Sequence, residues 1–365
     1  MNSACEFCLM DNTATGFKRV DNGCTFCHDM STKSVYDAKV HNLDKLVTKI
    51  KSENKSKRYD CLIGLSGGVD SSYVLHKAIE LGLRPLVIHV DNGWNTALSQ
   101  HNIEKLIIGT NVTYLSEILY WPEYRNHLRA LIESNVVDLE LLADNIMNKV
   151  NLETAIKYGI KYILNGVNTS TEGIALPQNW GWNKLDGLNL RSILDRHSAS
   201  NMRHIQPILP SNFYIRKKFY GIHNIPFLNY LNFSKERALD ELKIKYNFFP
   251  YKYKHYENVF TRFYQGYILP KKFKIDKRKM HLSALVVSGE MSRQQALSIL
   301  ETDPYPSQNL LLRDKKFVLK KLGLTQDYFC NYMKTPENSH QNYKTNIHTL
   351  RRIKDFLKLE AGFNN

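Results

Sequence analysis

Two groups of residues in this 365-residue chain have the types and spacing to do chemistry. The first is Ser66-Gly67-Gly68-Val69-Asp70-Ser71-Ser72. Its glycines let backbone N–H groups approach an anion closely, and Ser66, Ser71 and Ser72 add hydroxyl donors. A carboxylate at Asp70 would repel a phosphate unless it caps the following helix or meets Mg²⁺. The Gly-Lys-Ser/Thr ending of a Walker A loop is absent, so this is a phosphate loop of another kind. The second group is Cys5-Glu6-Phe7-Cys8 and Cys24-Thr25-Phe26-Cys27, a C-x₂-C-x₁₅-C-x₂-C spacing. Each pair can grip one side of a tetrahedral Zn²⁺, and four thiolates leave no open position, which makes the expected site structural. A zinc ribbon confined to residues 1–30 has too little core to fold without its metal.

A phosphate loop works only if a strand and a helix hold it. Asp60-Cys61-Leu62-Ile63-Gly64-Leu65 is apolar enough for a buried parallel strand, and residues 71–81 have helical spacing that stops at Gly82. Further strands are predicted at 86–90, 112–115 and 162–165, with helices near 96–108 and 138–158. This alternation predicts an α/β nucleotide domain over residues 59–210, a doubly wound parallel sheet with its ligand at the carboxyl ends of the strands. Two polar loops fall at that edge: Asp91-Asn92-Gly93-Trp94, and Asn165-Gly166-Val167-Asn168-Thr169-Ser170-Thr171-Glu172-Gly173. Asp91, Asn165 and Gly166 are therefore candidate nucleotide contacts. Residues 31–58 read as a linker with one amphipathic helix, roughly Ser34 to Lys51. Residues 174–210 read as a lid or binding loop, and 211–365 as a mainly helical substrate- or partner-binding region. Within it, helix-turn-helix packing is expected over 281–300, with Ser292 as an N-cap.

The net charge is +15, and residues 235–280 carry 13 Lys/Arg against 5 Asp/Glu with eleven Tyr/Phe interleaved. Such a stretch can cradle phosphates and stack a base or sugar, can bind single-stranded RNA, or can be a packing face whose lysines reach water. No apolar run is long enough to span a membrane, and the N-terminus lacks a signal-peptide pattern, so a cytoplasmic location is expected. Reduced thiols there favour metal over disulfides.

Ser-Gly-Gly-x-Asp-Ser between a strand and a helix resembles the pyrophosphate loop of the N-type ATP pyrophosphatases, the adenine nucleotide alpha hydrolase-like PP-loop ATPases. Those enzymes split ATP between the α and β phosphates and pass AMP to an oxygen of their substrate. The wider combination resembles the N-acetyl sugar amidotransferase family over about residues 1–300. It comprises the double CxxC, the loop, residues 165–173, and the stretch running from His255 through Glu257, Gln265 and Lys272 to Arg278. That family makes acetamidino sugars of bacterial surface polysaccharides, including lipopolysaccharide O-antigen and pseudaminic- and legionaminic-type acids. One departure is Asn168-Thr169-Ser170, where smaller residues are expected.

The resemblance implies that the amide oxygen of an N-acetyl sugar is adenylated, pyrophosphate leaves, and ammonia displaces AMP to give an amidine. In this reading Ser66, Gly67, Gly68, Ser71 and Ser72 bind pyrophosphate, and Asp70 serves Mg²⁺ or loop geometry. Asp91 serves the nucleoside, Lys272 and Arg278 neutralise phosphate charge, and His255 and Glu257 orient ammonia or the amide. The chain has no glutaminase elbow. The family therefore implies a separate class I glutaminase, with a barrel subunit like that of histidine biosynthesis as a further expected partner. The rival reading is a tRNA-modifying PP-loop enzyme of the thiolation or lysidine type. Against thiolation, Cys61 lies in the buried strand and Cys330 has no visible partner. A third reading, a zinc-ribbon nucleic-acid adaptor with a dead ATP fold, conflicts with the intact loop.

Overall fold

Residues 4–40, 42–199, 201–252 and 256–346 are described by a computed structural model. His255 lies outside them. The N-terminal ribbon is a two-residue antiparallel hairpin, β1 (Arg19–Val20) with β2 (Gly23–Cys24), that leads into a helix over Thr25–Val40. The single linker helix expected near 34–51 is two helices, the second being Leu43–Glu53. Asn42 forces the break, since its side chain caps the second helix by accepting from the Lys45 amide at 2.9 Å.

The central sheet has five strands, β3 (Cys61–Gly64), β4 (Pro85–Asp91), β5 (Thr113–Ile118), β6 (Tyr162–Asn165) and β7 (His223–Pro226). Their order is β5-β4-β3-β6-β7 and every neighbouring pair is parallel. Cys61, Leu62 and Ile63 of β3 are wholly buried, as expected of a strand covered on both faces. On one face pack the helices Val69–Glu80, Ala97–Thr110 and Lys235–Tyr246, through Val74, Leu106 and Leu242. On the other pack Leu141–Lys157 and Pro210–Phe219, through Leu152, Ala155 and Phe213. The sheet is therefore doubly wound, as the sequence predicts. The chain leaves β3 toward β4 and β5, then returns to β6 on the other side of β3. Ligands bind above such a switch point in open α/β sheets.

Three elements depart from the sequence reading, and the first is a helix, Gly187–His197, whose Leu190, Ile193 and Leu194 are buried within the stretch 174–210 expected to be a lid or binding loop. The helix Trp121–Glu133 begins with a proline in its first turn, where a missing N–H costs nothing. Strand β7 reads His-Asn-Ile-Pro, with a single buried side chain at Ile225, and carries the sheet past residue 210. The expected helical pair is present as Arg278–Val287 and Arg293–Glu301, with Ser292 and Gln295 forming a capping box.

The C-terminal region is helical. A short helix Val259–Phe263 runs into a ten-residue π-helix, Tyr264–Phe273, which contains Pro270. The helices Gln308–Leu322 and Gln326–Lys334 close over it. Among the described residues, no helix is long and apolar enough to cross a membrane. A buried ion pair ties the region together: Arg262 Nε donates to Asp314 Oδ2 at 2.7 Å, and the Tyr305 hydroxyl donates to the same oxygen at 2.5 Å. Removing one partner strands the other charge in a low dielectric. Asp314→Ala is expected to cost about 3 kcal/mol in denaturant unfolding, against about 1 kcal/mol for Tyr305→Phe.

Candidate active site and zinc centre

The phosphate loop leaves β3 at Gly64 and enters the Val69–Glu80 helix, whose N-cap is Gly68. Gly67 has φ +79°, and a Cβ there would stand 2.8 Å from the Ser99 carbonyl oxygen, so only glycine fits. The Ser66 hydroxyl accepts from the Gly68 amide at 3.2 Å and lies 3.2 Å from the Ser71 hydroxyl, closing the loop into a ring of donors. The first-turn amides of the helix have no intrahelical partner and its dipole is positive there, which suits a phosphate.

Two adjoining cavities open above this loop. The first, of about 690 Å³, is bounded by Gly68, Asp70, Ser71 and Gly166 and by Lys235, Tyr251 and the helix carrying Leu282 and Leu285. The second, of about 770 Å³, lies over the ends of β3 and β4 and is bounded by Leu65, His89, Asn92, Asn148 and Lys184. They share a wall that includes Ser66, Thr171, Glu172, Glu257, Lys277 and His281. Both volumes lie in the range of small-molecule sites.

The second cavity has a rigid lining. His89 Nδ1 lies 2.7 Å from the Leu65 carbonyl and Nε2 lies 2.8 Å from the Asn95 amide nitrogen, so Nδ1 donates and Nε2 accepts. Lys184 bridges Asp138 at 2.7 Å and Asp144 at 2.9 Å. Burial alone would raise the Asp138 carboxyl, but Lys184 together with Lys277 and His340 outweighs it and holds it at about 2. Burial also dominates at Asp144, whose carboxyl is pushed upward.

The expected site residues divide. Ser66, Gly68, Asp70, Ser71, Gly166 and Glu257 line the first cavity. A Glu257 carboxylate oxygen comes within 3.5 Å of the Ser66 hydroxyl. Its backbone is stitched to the loop after β4: the Thr96 amide donates to the Glu257 carbonyl at 3.0 Å, and the Val259 amide to that of Trp94 at 2.8 Å. Gly166 presses on the helix start, where a Cβ would meet Asp70 Cβ and its carbonyl carbon at 2.9 Å. Asn165 turns its own loop by accepting from the Val167 amide at 3.1 Å.

Others are placed elsewhere. Ser72 is fully buried beneath the loop, and its hydroxyl finds no hydrogen-bond partner among the described residues. Asp91 accepts from the Gly93 amide at 2.8 Å and holds its loop, while the adjacent Asn92 lines the second cavity. Lys272 lines neither cavity; it donates to Asn135 Oδ1 at 3.0 Å and to the Tyr332 and Thr335 carbonyls. Arg278 reaches the edge of the first cavity, but its guanidinium is clamped on Asp276 at 2.7–3.1 Å and on the carbonyls of Ile299, Leu300 and Thr302. Those contacts use all five N–H donors, so the expected phosphate role is corrected to a structural one. Besides Arg278, the lysines and arginines that line the cavities, among the described residues, are Lys184, Lys235, Lys252 and Lys277. Nothing in local sequence separates these from their neighbours, since facing is set by helix phase across distant segments.

Many aromatics of the basic stretch also proved to be packing. Phe248, Phe260, Phe263 and Tyr264 are buried. Tyr251 and Tyr256 line the cavity while fixing backbone: Tyr251 donates to the Gly67 carbonyl at 3.0 Å and Tyr256 to that of Pro304 at 2.7 Å.

Cys5, Cys8, Cys24 and Cys27 form a buried cluster with Sγ atoms within 4.8 Å of one another. Their separations of 3.7, 3.7 and 4.0 Å match the edge of a tetrahedron with a Zn–S bond of about 2.3 Å. The residues fit a structural zinc. The cluster docks on the cavity wall: Arg293 donates to the Cys5 and Cys8 carbonyls at 3.0 and 3.3 Å, and the Leu9 amide to Ser283 Oγ at 3.0 Å. Lys279 pairs with Asp11 at 2.5 Å. A second grouping, His76, Glu80 and Glu241, already holds a cation, since Lys77 Nζ bridges both carboxylates at 2.8 Å.

The five-stranded parallel sheet with this loop at its switch point is the doubly wound α/β fold the sequence predicts, joined to a cysteine cluster and a helical C-terminal region. Residues 257–355 match the family of the LPS biosynthesis protein WbpG-like, C-terminal domain. The match supports the N-acetyl sugar amidotransferase resemblance. Among solved structures, an NH3-dependent NAD synthetase from Campylobacter jejuni is similar at 17% identity and a TM-score of 0.30, covering 60% of this chain and 83% of the other. An NMN synthetase from Francisella tularensis aligns at 18% identity and a TM-score of 0.30, covering 60% and 93%. No curated protein matches.

Gly166→Ala is expected to push the first turn of the phosphate helix aside at about 1–3 kcal/mol, weakening ATP binding roughly tenfold in a calorimetric titration. Purified protein is expected to carry one zinc per chain by elemental analysis, and Cys8→Ser to lose it together with several degrees of melting temperature.

Proposed function

We propose that this protein is an ATP-dependent amidotransferase acting on an N-acetylated sugar of bacterial surface-polysaccharide assembly. The supporting observation is the shared wall: one cavity over the ends of β3 and β4 suits a nucleotide, and another beside the phosphate loop suits a second substrate. The WbpG-like match supports the lipopolysaccharide setting. An acetamide carbonyl is a poor electrophile with a poor leaving group. Attack of its oxygen on the α-phosphorus of ATP releases pyrophosphate and gives an imidate whose leaving group is AMP. Ammonia then adds to the imidate carbon, and AMP departs to leave an amidine.

In this reading the Ser66–Ser71 loop holds the departing pyrophosphate. Asp70, with Glu172 and Glu257 on the same cavity, offers the oxygen ligands that suit Mg²⁺. When bound, Mg²⁺ would neutralise charge on the pyrophosphate. Residues 59–210 with β7 supply the ATP site, and residues 211–365 supply the sugar wall and the surface for a glutaminase partner. The substrate is carried by a nucleotide or is sialic-acid-like, and nucleic acid is not required.

The test offers purified protein ATP, ammonium and either a UDP- or CMP-linked N-acetyl sugar or tRNA. Sugar-dependent AMP and pyrophosphate are expected, with a product in which NH replaces the acetyl oxygen. ADP and phosphate as main products, or release stimulated by tRNA alone, would overturn the reading.

A further inference from the structure

On the wall shared by the two cavities, among the described residues, Lys277 is the one side chain with a permanent positive charge. Its ammonium donates to Glu140 Oε2 at 3.2 Å. Gln265, also on that wall, grips the same carboxylate through Nε2 at 3.0 and 3.1 Å. The Tyr264 ring lies 5.5 Å from the ammonium. That ring is fully buried, and its hydroxyl is tied to the Val137 carbonyl. The Lys277 and Glu140 side chains are only 13% and 12% exposed, so the pair is held in one place. An ammonium has three donors, and Glu140 takes one.

We propose that Lys277 is a catalytic residue whose ammonium contacts the α-phosphate during adenylyl transfer, with Glu140 and Gln265 as positioning residues. This rests on the adenylation reading above. In the step, the amide oxygen forms a bond to the α-phosphorus. The bond from that phosphorus to the α,β-bridging oxygen breaks, and its electron pair leaves with pyrophosphate. The phosphate loop serves the group that departs. A fixed cation on the shared wall serves the phosphorus that stays, where negative charge is concentrated as the transfer proceeds. Lysine and arginine are abundant nearby, but Lys272 and Arg278 are committed to carbonyls and to Asp276, and Lys279 to Asp11.

The test titrates the full chain with AMP, α,β-methylene-ATP and inorganic pyrophosphate. Lys277→Met is expected to weaken AMP and the ATP analogue by roughly tenfold to a hundredfold, the weight of a charge-assisted hydrogen bond, and to leave pyrophosphate within about twofold. Lys277→Arg keeps the charge and should retain most of the AMP affinity. Glu140→Gln keeps an acceptor for the ammonium and should lose less than Lys277→Met. Lys277→Gln removes the charge with a milder change in polarity and gives the same answer if the methionine variant does not fold. AMP binding unchanged in Lys277→Met, an equal loss for pyrophosphate, or an equal loss in Glu140→Gln would overturn the assignment. A wild-type protein that binds neither AMP nor pyrophosphate would instead remove the adenylation reading itself.

Discussion

The site depends on one steric constraint, the absence of a side chain at residue 166. Strands β3 and β6 are neighbours, and the chain leaves them in opposite senses at the switch point. The backbone after β6 passes so close to Asp70 that any Cβ would overlap it. That contact fixes where the phosphate helix begins relative to the turn holding Thr171 and Glu172. The third side of the enclosure comes from sequence far away. Residues 257–259 pair with the loop after β4 through an isolated bridge between Asn95 and Asn258, which brings the Glu257 carboxylate beside Ser66. A parallel sheet alone gives an open crevice; this stitch turns it into two bounded chambers.

Charge in the molecule is used more for architecture than its abundance suggests. The basic stretch 235–280 contributes strongly to the net +15, yet most of the cations traced in it are neutralised locally. Lys245 pairs with Glu80, Lys279 with Asp11, Arg262 with Asp314, and Arg278 with Asp276 and helix-terminal carbonyls. Several of these carry little exposed surface, where an unpaired charge is costly and a hydrogen-bonded pair is tolerated.

Much of the nucleotide fold was legible because its signals are local. A buried strand such as Cys61–Gly64 reads as an apolar run, the loop as a glycine pair, and the ribbon as two CxxC pairs at fixed spacing. Strand β7 was illegible because it needs only one buried residue, Ile225, and takes its hydrogen bonds from β6 at the sheet edge. Helix Trp121–Glu133 was missed although Pro122 marks its start, since its buried face mixes Glu123 and His127 with Leu128 and Leu131. The roles of Lys272, Lys277 and Arg278 could not be separated by sequence. All three sit in one basic run, but Lys272 lies within the π-helix, and Lys277 and Arg278 follow it across a left-handed turn at Lys274, so no single helical phase relates their side chains. Ser72 illustrates the opposite limit: it follows Ser71 directly, but one step of rotation turns it from the cavity into the core.

The docking of the ribbon has a consequence for how the protein is made. Cys5 and Cys8 emerge from the ribosome well before the Arg293 side chain that donates to their carbonyls, which is translated 288 residues after Cys5. Loops of that length close slowly, and domains generally form in order from the N-terminus. A metal-loaded ribbon and a nascent β/α sheet would therefore coexist for most of synthesis without the wall that joins them. A metal held by the four cysteines would give the ribbon a means of staying folded through that interval, before the helices at 278–301 exist to hold it.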